Sequence, residues 1–202
     1  SIWVTEAQHR MGKTHDGRDI SSEEHGRIFA RSYVLSFGSG VDKIFYTSFR
    51  APPFALGQFA QAALIDANGV TRPAYHVLQT LIRKLDGFTS AEKLAEGQYR
   101  FTVGEKTIYA LWGSGEIPGE ITGDVLITGI LDWESRGSSS AINLTDNPIF
   151  VESTQIDDAR STLSDDFEQT SEYHFGFMPA TWDFENAKEA GGAYDRPHFE
   201  RF

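Results

Sequence analysis

The sequence predicts a mixed fold, an α/β part followed by an all-β part, and three stretches carry that expectation. Ile2-Trp3-Val4-Thr5-Glu6 is an apolar run without polar alternation that ends in a carboxylate, the pattern of a strand covered on both faces in a parallel sheet. Residues 21–46 read as a capped helix and a second strand, so with the first strand they form a βαβ unit with parallel strands and a right-handed crossover. From Phe88 onward short alternating runs are separated by Gly-containing turns, the signature of an antiparallel sandwich or small barrel.

The elements follow in order. After Glu6 a polar loop runs from Gln8 to Asp19, and Ser21 with Glu24 stands at capping-box spacing. Ile28, Phe29, Tyr33 and Phe37 then recur every three or four residues until Gly38-Ser39-Gly40, which predicts an amphipathic helix and its end. Val41 to Tyr46 is the second strand, and the loop from Thr47 to Phe54 carries Phe49 and Arg50. A small apolar segment ends in Leu64-Ile65-Asp66, ahead of a turn at Asn68-Gly69. Pro73 opens another helix at its first turn, with Ala74, Val77, Leu78, Leu81, Ile82 and Leu85 on one face and Gly87 beyond its end. Strands are expected at Tyr99–Val103, Thr107–Trp112, Gly123–Thr128, Ala141–Leu144 and Pro148–Val151, with turns at Gly104-Glu105, 113–119 and 135–140. Glu152 to Glu172 is polar and acidic and reads as a solvated linker. In the tail, Phe175 to Pro179 reads as a strand, Trp182 to Ala190 as a helix, and Ala193 to Pro197 as a strand ending near Arg196. The predicted organisation is thus an α/β part over 1–87, which the resemblance given below makes the C-terminal portion of a β/α-barrel, then 88–152 as a β-sandwich, 153–174 as a linker and 175–202 as a short βαβ-like start of another unit.

Composition narrows the function. A length of 202 residues and 40% hydrophobic content suffice to bury a core. The formal net charge of −11 argues against a nucleic-acid backbone or an anionic membrane as partner and suits a neutral ligand such as a sugar. The chain has no cysteine, which excludes thiolate metal sites and disulfides. No apolar stretch has the length of a membrane span. The chain opens inside an apparent core strand without an initiator Met, and the expectation is a fragment of a longer protein.

Ile2 to Glu6, the capped helix, Gly40-Val41-Asp42-Lys43-Ile44-Phe45-Tyr46 and Gly69-Val70-Thr71-Arg72-Pro73-Ala74-Tyr75 together resemble the last third of a clan A retaining glycoside hydrolase. In that family they correspond to barrel strand seven, helix seven, strand eight and helix eight. The all-β part, closing at Asn147-Pro148-Ile149-Phe150-Val151, resembles the β domain that follows such barrels in β-xylosidase-like enzymes. The resemblance spans roughly residues 1 to 153 in element order as well as motif. Phe175-Gly176-Phe177-Met178-Pro179 and 192–197 resemble strands one and two. They read either as the start of a tandem domain, the favoured arrangement because neighbouring domains fold as separate units, or as strands docking beside strand eight.

The resemblance implies a carbohydrate substrate, no cofactor, and the remainder of a parent barrel as partner. Retaining hydrolysis uses two carboxyl groups about 5 to 5.5 Å apart. Glu6 corresponds to the nucleophile, whereas the acid/base residue belongs to an Asn-Glu pair, and no such pair occurs in this chain. The chain alone is therefore expected to be inactive. Arg196 corresponds to the strand-two arginine that neighbours the nucleophile and keeps it ionised. Tyr46 stands where the family places an aromatic platform, commonly Trp, under the sugar ring. Phe49 and Arg50 are further substrate-binding candidates, and for these two and Tyr46 loop packing is the competing explanation; His9 and His15 follow Glu6 in its loop as candidates to touch substrate, with solvated loop histidines as the alternative. His9 and His15 lack a third ligand at metal-site spacing. Tyr99, Phe101, Tyr109, Trp112 and Trp133 form either a sugar-binding face or core, with alternation favouring core for the first three. Asn143-Leu144-Thr145 fits a glycosylation acceptor. The alternative for the whole protein is a non-catalytic glycan-binding or surface protein on a degenerate scaffold, with Glu6 a solvated carboxylate.

Overall fold

The structure, a computed structural model, describes residues 1–14, 16–53 and 57–153. His15, most of the acidic segment and the tail with Arg196 lie outside the described residues.

The first part contains β1 (Trp3–Ala7), a small antiparallel pair of β2 (Gly12–Lys13) and β3 (Asp19–Ile20), α1 (Ser22–Gly38), β4 (Lys43–Tyr46), α2 (Gln58–Ala62) and α3 (Pro73–Leu85). β1 and β4 pair in parallel, as a strand–helix–strand unit requires. Ser21 caps α1 as its spacing predicts, its hydroxyl accepting the Glu24 backbone N–H at 3.2 Å. The return half of the capping box is not made, because the Glu24 carboxylate pairs with Arg18 at 2.9 Å. Phe29, Ala30, Tyr33 and Val34 form the buried face of α1 and pack on Ala74, Val77, Leu81 and Leu85 of α3. Full burial of a residue such as Phe29 contributes about 1.5–3 kcal/mol.

The second part is one six-stranded antiparallel sheet of β5 (Phe88–Ala95), β6 (Gln98–Val103), β7 (Lys106–Leu111), β8 (Asp124–Gly129), β9 (Glu134–Ser138) and β10 (Ile149–Ser153). Its spatial order is β5-β6-β7-β10-β8-β9. The last strand therefore enters the middle, between β7 and β8. This sheet stands where the sequence predicts the β-sandwich. One face, with Tyr99, Phe101, Ile108, Trp112 and Phe150, shares a core with α1 and α3. The other, with Tyr109, Leu111, Val125 and Val151, is covered by Ile121, Leu144 and neighbouring loop residues. α1 closes on the sheet through Gly38, where a Cβ would sit 2.5 Å from Tyr99 Cδ1, and Tyr99 stacks on Trp112 with ring centroids 5.3 Å apart.

Three expectations shift. The turn expected at 135–140 is largely β9, the stretch 141–144 is a single 3-10 turn (Ser139–Ala141) and loop, and β5 was not anticipated as a strand. β5 and β9 are the two sheet edges and are dominated by exposed polar residues, so they lack the apolar alternation that marks a half-buried strand. Ile142 and Leu144 have that alternation, yet they pack as a loop lid on the outer core. The first strand also differs: it is not covered on both faces, since Trp3 is 54% and Phe45 49% exposed.

Candidate functional site

β1 and β4 run parallel, so their C-terminal ends share one edge, and Glu6 and Tyr46 are carried there together. The register passes from Val4 opposite Ile44 to Ala7 opposite Tyr46. β1 advances three residues while β4 advances two, which is a one-residue bulge over Thr5 and Glu6. Its effect appears in the burial pattern: Val4 and Ala7 are half-buried, while Trp3, Thr5 and Glu6 are exposed. Ile44 and Tyr46 of β4 pack on the helical core, and Phe45 faces the other way. Strict alternation from Val4 would put Glu6 on the helix-covered face. The extra residue breaks that alternation, and Glu6 is exposed, as Trp3 and Phe45 are. Those two rings lie 6.2 Å apart, and Lys43 Nζ sits 4.8 Å from the Trp3 ring centre.

Behind this open face lies a layer of hydrogen bonds. The Tyr46 hydroxyl lies 2.6 Å from the Ala62 carbonyl and 3.0 Å from that of His9, and its ring meets Phe29 edge-on at 5.0 Å. Burial pushes the phenol up to about 12, so it remains a donor at neutral pH. His9 Nε2 lies 2.7 Å from Ser32 Oγ, and burial holds its imidazole below the usual range. His25 is fully buried, with Nε2 2.8 Å from the His9 carbonyl oxygen. Burial lowers its pKa too, outweighing that hydrogen bond. Nδ1 of His25 has no hydrogen-bond partner among the described residues, as fits a neutral ring that donates through Nε2 and leaves a bare lone pair. Arg72 donates from Nη1 to the carbonyls of Ala60 and Ala63 at 2.7 and 2.8 Å. It thereby ties the segment after β4 to the start of α3. Sequence reasoning assigned no role to His25 and Ser32, two turns apart on α1, or to the distant Arg72; only the apolar period around His25 gave a hint of burial.

The structure thus brings Glu6, His9 and Tyr46 to one edge. Tyr46 and His9 are engaged with backbone and helix, while the Glu6 side is open. Phe49 is exposed, with its ring 5.9 Å from that of Tyr75. Arg50 is exposed and its backbone bridges to Ile65. Among the aromatics of the second part, Tyr99, Phe101, Tyr109 and Trp112 are core, and Trp133 is exposed.

No family model matches this sequence, and no curated protein does. Among solved structures, the fold is similar to that of a family 39 glycoside hydrolase from the gut symbiont Bacteroides cellulosilyticus WH2, with a TM-score of 0.54 and 14% identity. The match covers 75% of this chain and 33% of that one, so this chain spans about a third of the structure that it resembles.

Proposed function

We propose that residues 1–87 are the closing βα units of a (β/α)8 barrel from a retaining glycoside hydrolase, with Glu6 as nucleophile. The observation that supports this reading is the bulge in β1, which accompanies an exposed carboxylate near the C-terminal end of a parallel strand pair that also carries the exposed rings of Trp3 and Phe45. In such barrels the C-terminal ends of the strands carry the chemistry. Trp3 and Phe45 would face the interior of the ring, and the remainder of the barrel would cover them and pair with the free strand edges.

In the reaction, a Glu6 oxygen attacks the anomeric carbon as the bond to the leaving oxygen breaks. An acid/base carboxyl from outside this chain gives that oxygen its proton. The same group then removes a proton from water, which attacks the anomeric carbon, releases Glu6 and restores the original configuration.

The test has two stages. The purified 202-residue chain should not turn over aryl glycosides. Joined to the coding sequence upstream, it should do so with retention, read by NMR of the first-formed anomer, and Glu6→Gln should lower kcat by at least about three orders of magnitude. Turnover by the chain alone, or a Glu6→Gln parent that keeps its rate, refutes the proposal. An upstream sequence with no apolar strand ending in Asn-Glu would favour a non-catalytic glycan-binding protein instead.

A further inference from the structure

Apart from the Glu6 edge, a cavity of about 640 Å³ opens between the first turns of α1 and α3, the β8–β9 hairpin and the loop before β10. That volume lies within the range of about 300–1,000 Å³ that small-molecule sites occupy. Trp133, at the hairpin, lines it and is 53% exposed, unlike Tyr99, Phe101, Tyr109 and Trp112.

The hairpin fixes this ring. The Asp132 N–H donates to the Gly129 carbonyl at 3.0 Å, and the Gly129 N–H donates to the Trp133 carbonyl at 2.9 Å. Asp132 takes a left-handed backbone, φ 65°, and its carboxylate pairs with Arg83 of α3. The indole lies across Gly129, where any Cβ would overlap Nε1. Gly129 therefore lets a flat aromatic surface rest along the cavity wall, already ordered before anything binds.

The polar groups around the ring are suited to hydroxyls. Arg27, Asn143 and Asn147 line the cavity, and their side chains make no hydrogen bond among the described residues. Guanidinium and amide groups are planar and present paired donors or acceptors, the geometry that vicinal hydroxyls meet. Glu23 lines the same space and offsets the charge of Arg27, so the site does not select for an anion. An apolar platform ringed by planar polar groups of balanced charge matches a neutral pyranose, which has an apolar C–H face and an equatorial hydroxyl rim.

We propose that this cavity binds one ring of a neutral oligosaccharide, stacked on Trp133 and hydrogen-bonded to Arg27, Asn143 and Asn147. The site shares no residue with the Glu6 edge, and it holds whether or not Glu6 is a nucleophile.

The experiment is a ¹⁵N–¹H NMR titration of the full chain with cellotetraose, xylotetraose and mannotetraose in turn. At least one should shift the Trp133 indole resonance saturably, with Kd on the order of 1 mM or tighter. Trp133→Ala should weaken binding about tenfold or more, with an unchanged unfolding midpoint because the ring is half exposed. Asn147→Ala, at an exposed loop position, should weaken it severalfold and serves if the first variant misfolds. No shift with any of the three sugars, binding that survives Trp133→Ala, or shifts confined to residues of β1 and β4 would overturn the proposal.

Discussion

Lys84 and Glu152 join the helical layer to the sheet, and breaking their pair should cost far more than its net contribution to stability. Lys84 Nζ lies 2.5 Å from Glu152 Oε1, and both side chains are nearly buried at 8% and 11% exposure. At that distance and an effective dielectric constant of about 20, the gross attraction is about 7 kcal/mol. Against it stands a desolvation cost of several kcal/mol for each ion, so the net stabilisation is small. Removing one partner strands the other, at about 3–5 kcal/mol for a buried pair. Here Lys106 sits 3.6 Å from the second Glu152 oxygen and Glu134 sits 3.4 Å from Lys84 Nζ. Both helpers are exposed, and they relieve only part of the loss. Lys84→Met and Glu152→Leu should therefore each cost about 2–4 kcal/mol, while the two together should lie within about 1 kcal/mol of the unsubstituted chain. The assay is urea unfolding by far-UV circular dichroism at constant m, analysed as a double-mutant cycle. Single costs that add to within about 0.5 kcal/mol would refute the reasoning.

Three other outcomes follow from the packing. Gly38→Ala pushes a methyl against Tyr99 at 2.5 Å; it should cost about 1–3 kcal/mol and disturb the near-UV signal of the Tyr99–Trp112 stack. Burial holds the folded-state pKa of His9 and His25 below 6.5, so the unfolded chain takes up protons first as pH falls. Stability should be full above 6.5 and decline below it towards the folded pKa values, seen as a falling urea midpoint from about pH 7.5 to about 5.5 and a shallower decline in His25→Asn. Trp3→Ala removes an exposed ring near Lys43 and should cost no more than about 1 kcal/mol in this chain; a larger loss would mean that the open face is covered.

The elements legible in the sequence are those whose own residues pay the cost of ordering. The Ser21 cap, the apolar period through Phe29 and Tyr33, Pro73 at the start of α3, and the alternation of Tyr99 and Phe101 each act within a few residues, and all four lead to the structure observed. The polar edges escaped notice because an edge strand is held by its neighbour's backbone more than by its side chains. Lys84 is a charged residue in the last turn of α3, and only a carboxylate 68 residues away makes its burial tolerable.

The sequence by itself determined that a parallel strand pair precedes an antiparallel sheet and that Glu6 lies near the end of the first strand, because period and capping are local properties of the chain. Tertiary structure alone decided that Glu6 is exposed and which aromatics remain open. The bulge opposite Phe45 exists only once β4 pairs with β1, and Trp133 differs from Trp112 only in what packs over it. Pairing and coverage are relations between distant segments, and no local pattern carries them.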